Sequence, residues 1–151
     1  MKPVFKIFLI TLFIIGGTIE NVNAQDAYGK AVGIRGGTPT GVSYKHFLEF
    51  AGAIEGIFGY NFTNGRVFTL SGLYEHHFFI NYNTNFFAGG GLTLGANSDE
   101  FRVIVEAIGG IEYVFPRFPM SFSLDYKPAF NISGADFFFN EFALTIRYIL
   151  K

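Results

Sequence analysis

From Tyr28 to the end of the chain, apolar and polar positions alternate with a period of two. In "FALTIRYIL", Phe142, Leu144, Ile146, Tyr148 and Leu150 share one parity and Ala143, Thr145, Arg147 and Ile149 the other. In "MSFSLDYKP", Met120, Phe122, Leu124, Tyr126 and Pro128 stand against Ser121, Ser123, Asp125 and Lys127. Successive side chains of a strand point to opposite faces, so each segment predicts a strand with one apolar and one polar face. Gly, Asn, Asp and Pro signals divide the chain into Tyr28–Gly37, Thr40–Phe50, Ala53–Thr63, Arg66–Phe79, Asn85–Gly95, Phe101–Phe115, Met120–Ile132 and Glu141–Leu150. No apolar stripe recurs at the spacing of three and four that a helix needs. The sixth segment breaks the rule locally, with Ile104 and Ile108 on its polar face. Pro128 lacks a ladder donor, which predicts a bulge there or the strand's departure from the membrane zone.

Composition decides which face is inside. Half of the residues are hydrophobic, 21 are Phe, none is Trp, and charged residues make up 15%. The apolar faces carry too many large rings to fit inside a small soluble barrel, and the polar faces are too poor in Lys to solubilise its outside. Turned outward, the rings fall into two levels with Val, Leu, Ala and Gly between them. Tyr60, Phe62, Phe68, Phe101 and Phe142 make one; Tyr74, Phe78, Phe86, Tyr113, Phe115, Phe122 and Tyr148 make the other. Two aromatic girdles around an apolar band, on an even number of strands of about ten residues, describe an all-β, eight-stranded antiparallel up-and-down transmembrane barrel. Closure gives every backbone group a partner, which open strands in lipid would lack.

The near-balanced formal charge of −1 points to no nucleic-acid partner, and the absence of Cys excludes a disulfide framework or a lipid-modified cysteine. Residues 1–24 read as a signal peptide, with a basic start at Lys2 and Lys6, an apolar run from Ile7 to Ile15 and small residues near Ala24. Residues 25–151 then form one barrel domain.

The stretch "FPRFPMSFSLDYKPAFNI", followed by the terminal "FALTIRYILK", resembles the small eight-stranded outer-membrane β-barrel (porin-like) proteins of Gram-negative bacteria. The resemblance implies an outer-membrane location, contact with outer-membrane lipids and lipopolysaccharide, and a last strand read by the outer-membrane assembly machinery. The last aromatic here is Tyr148, with Leu150 and Lys151 beyond it. A monomer without a cofactor is expected.

An eight-stranded barrel is just wide enough for side chains to fill. By parity the interior takes Arg35, Lys45, Arg102, Lys127 and Arg147 against Glu49, Glu55, Glu75, Glu106, Glu112 and Asp125, with His77 among them. Near-balance suits a paired, plugged interior, because an unpaired buried charge costs several kcal/mol. It predicts a non-enzymatic, structural or surface-interaction role. The rivals are a lipid-modifying outer-membrane enzyme, as some barrels of this size are, and a narrow small-solute channel.

"LYEHHFF" places Glu75, His76 and His77 together, but neighbouring strand residues diverge, so no metal site is expected. Ser71 lies too far along the strand from His77 to make a catalytic pair, and no catalytic residue is assigned. Gly89, Gly90 and Gly91 lack the Lys-Ser/Thr pair of a phosphate loop and are expected to leave room for long luminal side chains. In the last loop, "NISGADFFFN", Phe137, Phe138 and Phe139 are expected to extend strand pairing; the alternative is docking on lipopolysaccharide or protein.

Overall fold

A computed structural model describes residues 28–62, 66–133 and 138–150. The signal-peptide expectation and Phe137 lie outside them. The strands are β1 (Lys30–Gly37), β2 (Thr40–Phe47), β3 (Gly52–Asn61), β4 (Val67–Phe79), β5 (Thr84–Ala96), β6 (Phe101–Val114), β7 (Met120–Asn131) and β8 (Phe138–Leu150). Each pairs antiparallel with its sequence neighbour, and β1 closes on β8 with Lys30 opposite Leu150 and Gly37 opposite Ala143. The sheet therefore has no free edge.

Alternation is obeyed on every strand, and the polar parity is the inner one. Ile34, Val42, Phe58, Leu70, Leu92, Val105, Leu124 and Ile146, one from each strand, are exposed on the outer wall. Arg35, Lys45, Glu55, Glu75, Lys127 and Arg147 are buried. Apolar surface continuous around a whole barrel exceeds what soluble monomers leave uncovered, whereas lipid tails match it.

Four local expectations are corrected. Strand β2 stops at Phe47 rather than Phe50, because the Leu48 amide closes on the Gly52 carbonyl at 2.7 Å, with Phe50 and Ala51 at φ 60° and 61°. Strand β8 begins before Glu141, with Phe138 opposite Phe130 and Phe139 opposite Ala129, so these two residues do extend the pairing. Pro128 causes no bulge. Pairing with β6 lapses at Lys127 and Pro128 and resumes at Tyr126 in the same register, while Pro128 stays opposite Asn140 of β8. A strand can omit one donor on one side without shifting. Finally, Gly89 and Gly91 make room for backbone rather than for long side chains: a Cβ on either would stand about 2 Å from a β4 carbonyl, of Tyr74 or Gly72.

Candidate functional site: the luminal charge network

The interior is layered. Nearest the chain ends, Tyr28 meets Phe47 edge to face at 4.8 Å, Phe47 lies 4.5 Å from His77, and His77 stacks on Phe87 at 5.2 Å. The Tyr28 hydroxyl donates to Glu112 Oε1 at 2.7 Å. Burial, then the negative Glu112 beside it, raise the Tyr28 phenol well above its ordinary value, so it remains a donor.

Just inside this stack lie two cations and three carboxylates. Arg147 reaches from β8 across the lumen: its Nη2 bonds Glu55 of β3, its Nε donates to Ser43 Oγ at 3.0 Å, and its Nη1 donates to Ser123 Oγ at 2.7 Å. The same Nη1 lies 3.5 Å from Glu112 of β6. Lys45 Nζ is 2.7 Å from Glu75 and 3.7 Å from Glu55, and it sits 4.5 Å from the centre of the Phe87 ring. His77 Nε2 is 3.1 Å from Glu75, and its Nδ1 is 2.6 Å from Asn85 Oδ1. Ser121 donates to Glu112 at 2.9 Å.

Above this layer the wall of β3 to β6 is apolar, formed by Ile57, Leu73, Phe87 and Ile108. Ile108, which breaks the polar face of β6 in sequence, belongs to this cluster. From the other side of the barrel comes a two-pronged pair, Arg35 Nη1 and Nη2 donating to the Asp125 oxygens at 2.7 and 2.6 Å. Toward the outer end, Lys127 bridges Glu106 at 2.9 Å and Glu141 at 3.1 Å. Thr93 donates to Glu106 at 2.6 Å, and Asn61 donates to Glu141 at 3.3 Å.

Two residues assigned to the interior by parity are elsewhere. Glu49 is exposed in the β2–β3 turn, because β2 has already ended. Arg102 pairs with Glu100 at 2.5 Å at the partly exposed end of β6. Conversely, Glu141 and Tyr28 join the interior network. The parity of β8 marks Glu141, since Phe142 beside it faces out; nothing in the sequence marks Tyr28. Among the described residues, the luminal cations are Arg35, Lys45, Lys127 and Arg147, against Glu55, Glu75, Glu106, Glu112, Asp125 and Glu141.

The rings expected at the membrane surfaces are on the outer wall. At one level Tyr60 lies opposite Phe68 and 4.7 Å from Phe62, while Phe142 lies 4.7 Å from Tyr126 and Phe101 is exposed. At the other, Phe78 is opposite Phe86, Tyr113 is opposite Phe122 and 5.2 Å from Phe115, and Tyr74 and Tyr148 are exposed. His76 points outward with its ring 4.9 Å from Phe78, so Glu75 and His77 are inside while His76 is not. Glu75→Ala removes the near partner of Lys45 and His77 and is expected to cost about 1–3 kcal/mol of unfolding free energy. His76→Phe is expected to cost almost nothing. A larger loss for His76→Phe in urea titrations of vesicle-inserted protein would reverse the facing.

A glycine explains how so crowded a lumen fits. A Cβ on Gly110 would stand 2.5 Å from the Phe87 ring, so a bare backbone on β6 is what admits that ring to the stack. Among the described residues no group of His, Asp and Glu is arranged to hold a metal ion.

No protein-family model matches the chain, and no curated protein matches it. Solved structures do. The N-terminal β-barrel domain of Pseudomonas aeruginosa OprF matches with a TM-score of 0.61 at 15% identity, over 79% of this chain and 93% of that one. The fold is that of the small outer-membrane barrels. The Yersinia pestis outer-membrane protein Ail, determined in a phospholipid bilayer nanodisc, is similar at a TM-score of 0.52 and 13% identity, covering 81% of this chain and 99% of that one. At these identities the likeness speaks for the architecture alone, and the interior must be read from its own residues.

Proposed function

We propose that this chain is an integral outer-membrane barrel whose interior is closed by its own side chains and whose role is structural or interactive rather than enzymatic. The observation that carries this reading is the reach of Arg147. One guanidinium from β8 bonds Ser43 of β2, Glu55 of β3 and Ser123 of β7 and lies beside Glu112 of β6, so it occupies the cross-section of the barrel. The Tyr28–Phe47–His77–Phe87 stack lies below it, toward the chain ends. An ion threading this path would have to break several buried charge-assisted bonds at once.

The lipid-modifying alternative needs a nucleophile, a base and an orienting acid within mutual reach. The candidate base His77 is instead held between Glu75 and Asn85, and the Ser71 hydroxyl is engaged with Thr93, whose own proton goes to Glu106. The monomer sits among lipids and lipopolysaccharide, enters the outer membrane through recognition of its last strand, and uses no cofactor.

Planar-bilayer recording tests the closed interior: silence is expected, and steady conductance by the purified protein would reject it. Lipid A profiles from cells with and without the protein should coincide by mass spectrometry; a new lipid A species would restore the enzyme.

A further inference from the structure

The three turns on the side of the chain ends, residues 48–51, 80–83 and 115–119, share an unusual feature. Each holds a large ring out at its tip: Phe50, Tyr82 and Phe118 are 86%, 82% and 65% exposed. Turn tips in water favour Gly, Asn, Asp and Ser. At the other end the β5–β6 turn reads Asn97-Ser98-Asp99-Glu100, wholly polar, while Phe62 beside the β3–β4 turn is 66% exposed.

The rings sit on fixed turns. Phe50 occupies a left-handed conformation, φ 60°, which a bulky side chain rarely adopts, and the next residue's carbonyl accepts from the His77 amide at 2.8 Å. The Tyr82 turn is braced by Asn81, whose side-chain oxygen accepts from the Asn83 and Thr84 amides at 3.0 and 2.9 Å. Asn83 Nδ2 then ties that turn to the Val114 carbonyl at 3.0 Å. The Phe118 turn is closed by the Met120 amide on the Phe118 carbonyl at 2.7 Å.

Each turn also continues a lipid-facing column. Leu48, Ile80 and Phe115 are exposed, two residues beyond His46, Phe78 and Tyr113, and Phe115 packs edge-on against Tyr113. The apolar outer wall therefore runs without a break from the lower girdle into the turns.

We infer that these three turns are a foot seated in the headgroup layer of the leaflet nearest the chain ends, with Phe50, Tyr82 and Phe118 entering a phospholipid surface. Arg117, beside Phe118, supplies a guanidinium at the level of the lipid phosphates. Rings that are a liability in water suit the boundary between headgroups and acyl chains. This inference rests on the membrane reading proposed above.

The chain contains no Trp, so single substitutions give unambiguous fluorescence reporters. Phe50→Trp, Tyr82→Trp and Phe118→Trp would each be inserted into phosphatidylcholine vesicles, with Leu124→Trp on the outer wall as the control for insertion. Lipid brominated near the ester end of its acyl chains should remove most of the emission of the three turn reporters, which should also be blue-shifted and shielded from acrylamide. Turn reporters that emit as in water and are quenched by acrylamide, while the control is quenched by brominated lipid, would overturn the foot and leave the barrel's insertion standing. A control that brominated lipid does not quench would overturn both.

Discussion

Arg147→Met is expected to lower the unfolding free energy by about 3–5 kcal/mol, the range for stripping one partner from a buried ion network. The guanidinium is fully buried and meets Glu55, Glu112, Ser43 and Ser123. Its removal leaves two carboxylates with too few donors. Glu55 and Glu112 each already have one oxygen without a hydrogen bond, so the loss deepens an existing shortage of donors. Glu112 would keep Tyr28 and Ser121, and Glu55 would keep Lys45 at 3.7 Å and its neighbour Glu75. Arg147→Lys should recover part of the loss, because it restores the charge but not the fork that reaches several strands at once. Urea unfolding in phospholipid vesicles would measure both variants. A loss under about 1 kcal/mol for Arg147→Met, the value of an ordinary exposed pair, would mean that water reaches the guanidinium and that the interior is open.

The barrel was legible because its signal is redundant. Every strand repeats the same alternation, so an error at one position, such as Ile108, does not change the facing of the rest. Strand ends carry no such redundancy. "FLEFAG" contains no residue that announces a turn before Gly52, and a reversal through left-handed Phe50 and Ala51 is among the least predictable of turns. That single boundary moved Glu49 from the lumen to the surface. Glu141 shows the opposite case, since the parity of Phe142 places it inside but its position beside a loop disguises it.

The partners of the ions were legible only in part. Register brings Lys127 opposite Glu141 and Lys45 opposite Glu55, whereas several other luminal bonds run between strands that are not neighbours. Glu75 of β4 meets Lys45 of β2, and Tyr28, ahead of β1, meets Glu112 of β6. Those contacts depend on the diameter of the closed barrel and on side-chain length, which alternation does not encode.

The second large effect concerns the closing seam. Arg35 on β1 and Asp125 on β7 stand on the two strands that flank β8, and their two hydrogen bonds of 2.7 and 2.6 Å pass over it inside the barrel. Arg35→Met and Asp125→Leu are each expected to cost about 3–5 kcal/mol, because each leaves the other charge buried and unpaired. The double variant should cost far less than the sum, since two apolar side chains can meet where two ions did. Among the described residues neither ion makes another ion pair within 4 Å, although Glu141 also feels the Arg35 charge, so the cycle reports chiefly this interaction. Vesicle unfolding of the four proteins gives the coupling energy directly, and additive losses would show that the two side chains are not paired in the membrane. Kinetics extend the test to the order of closure. If the pair forms only after β1 has met β8, both single variants should unfold faster and refold at the parent rate; slower refolding would place the pair in the step that brings the strands together.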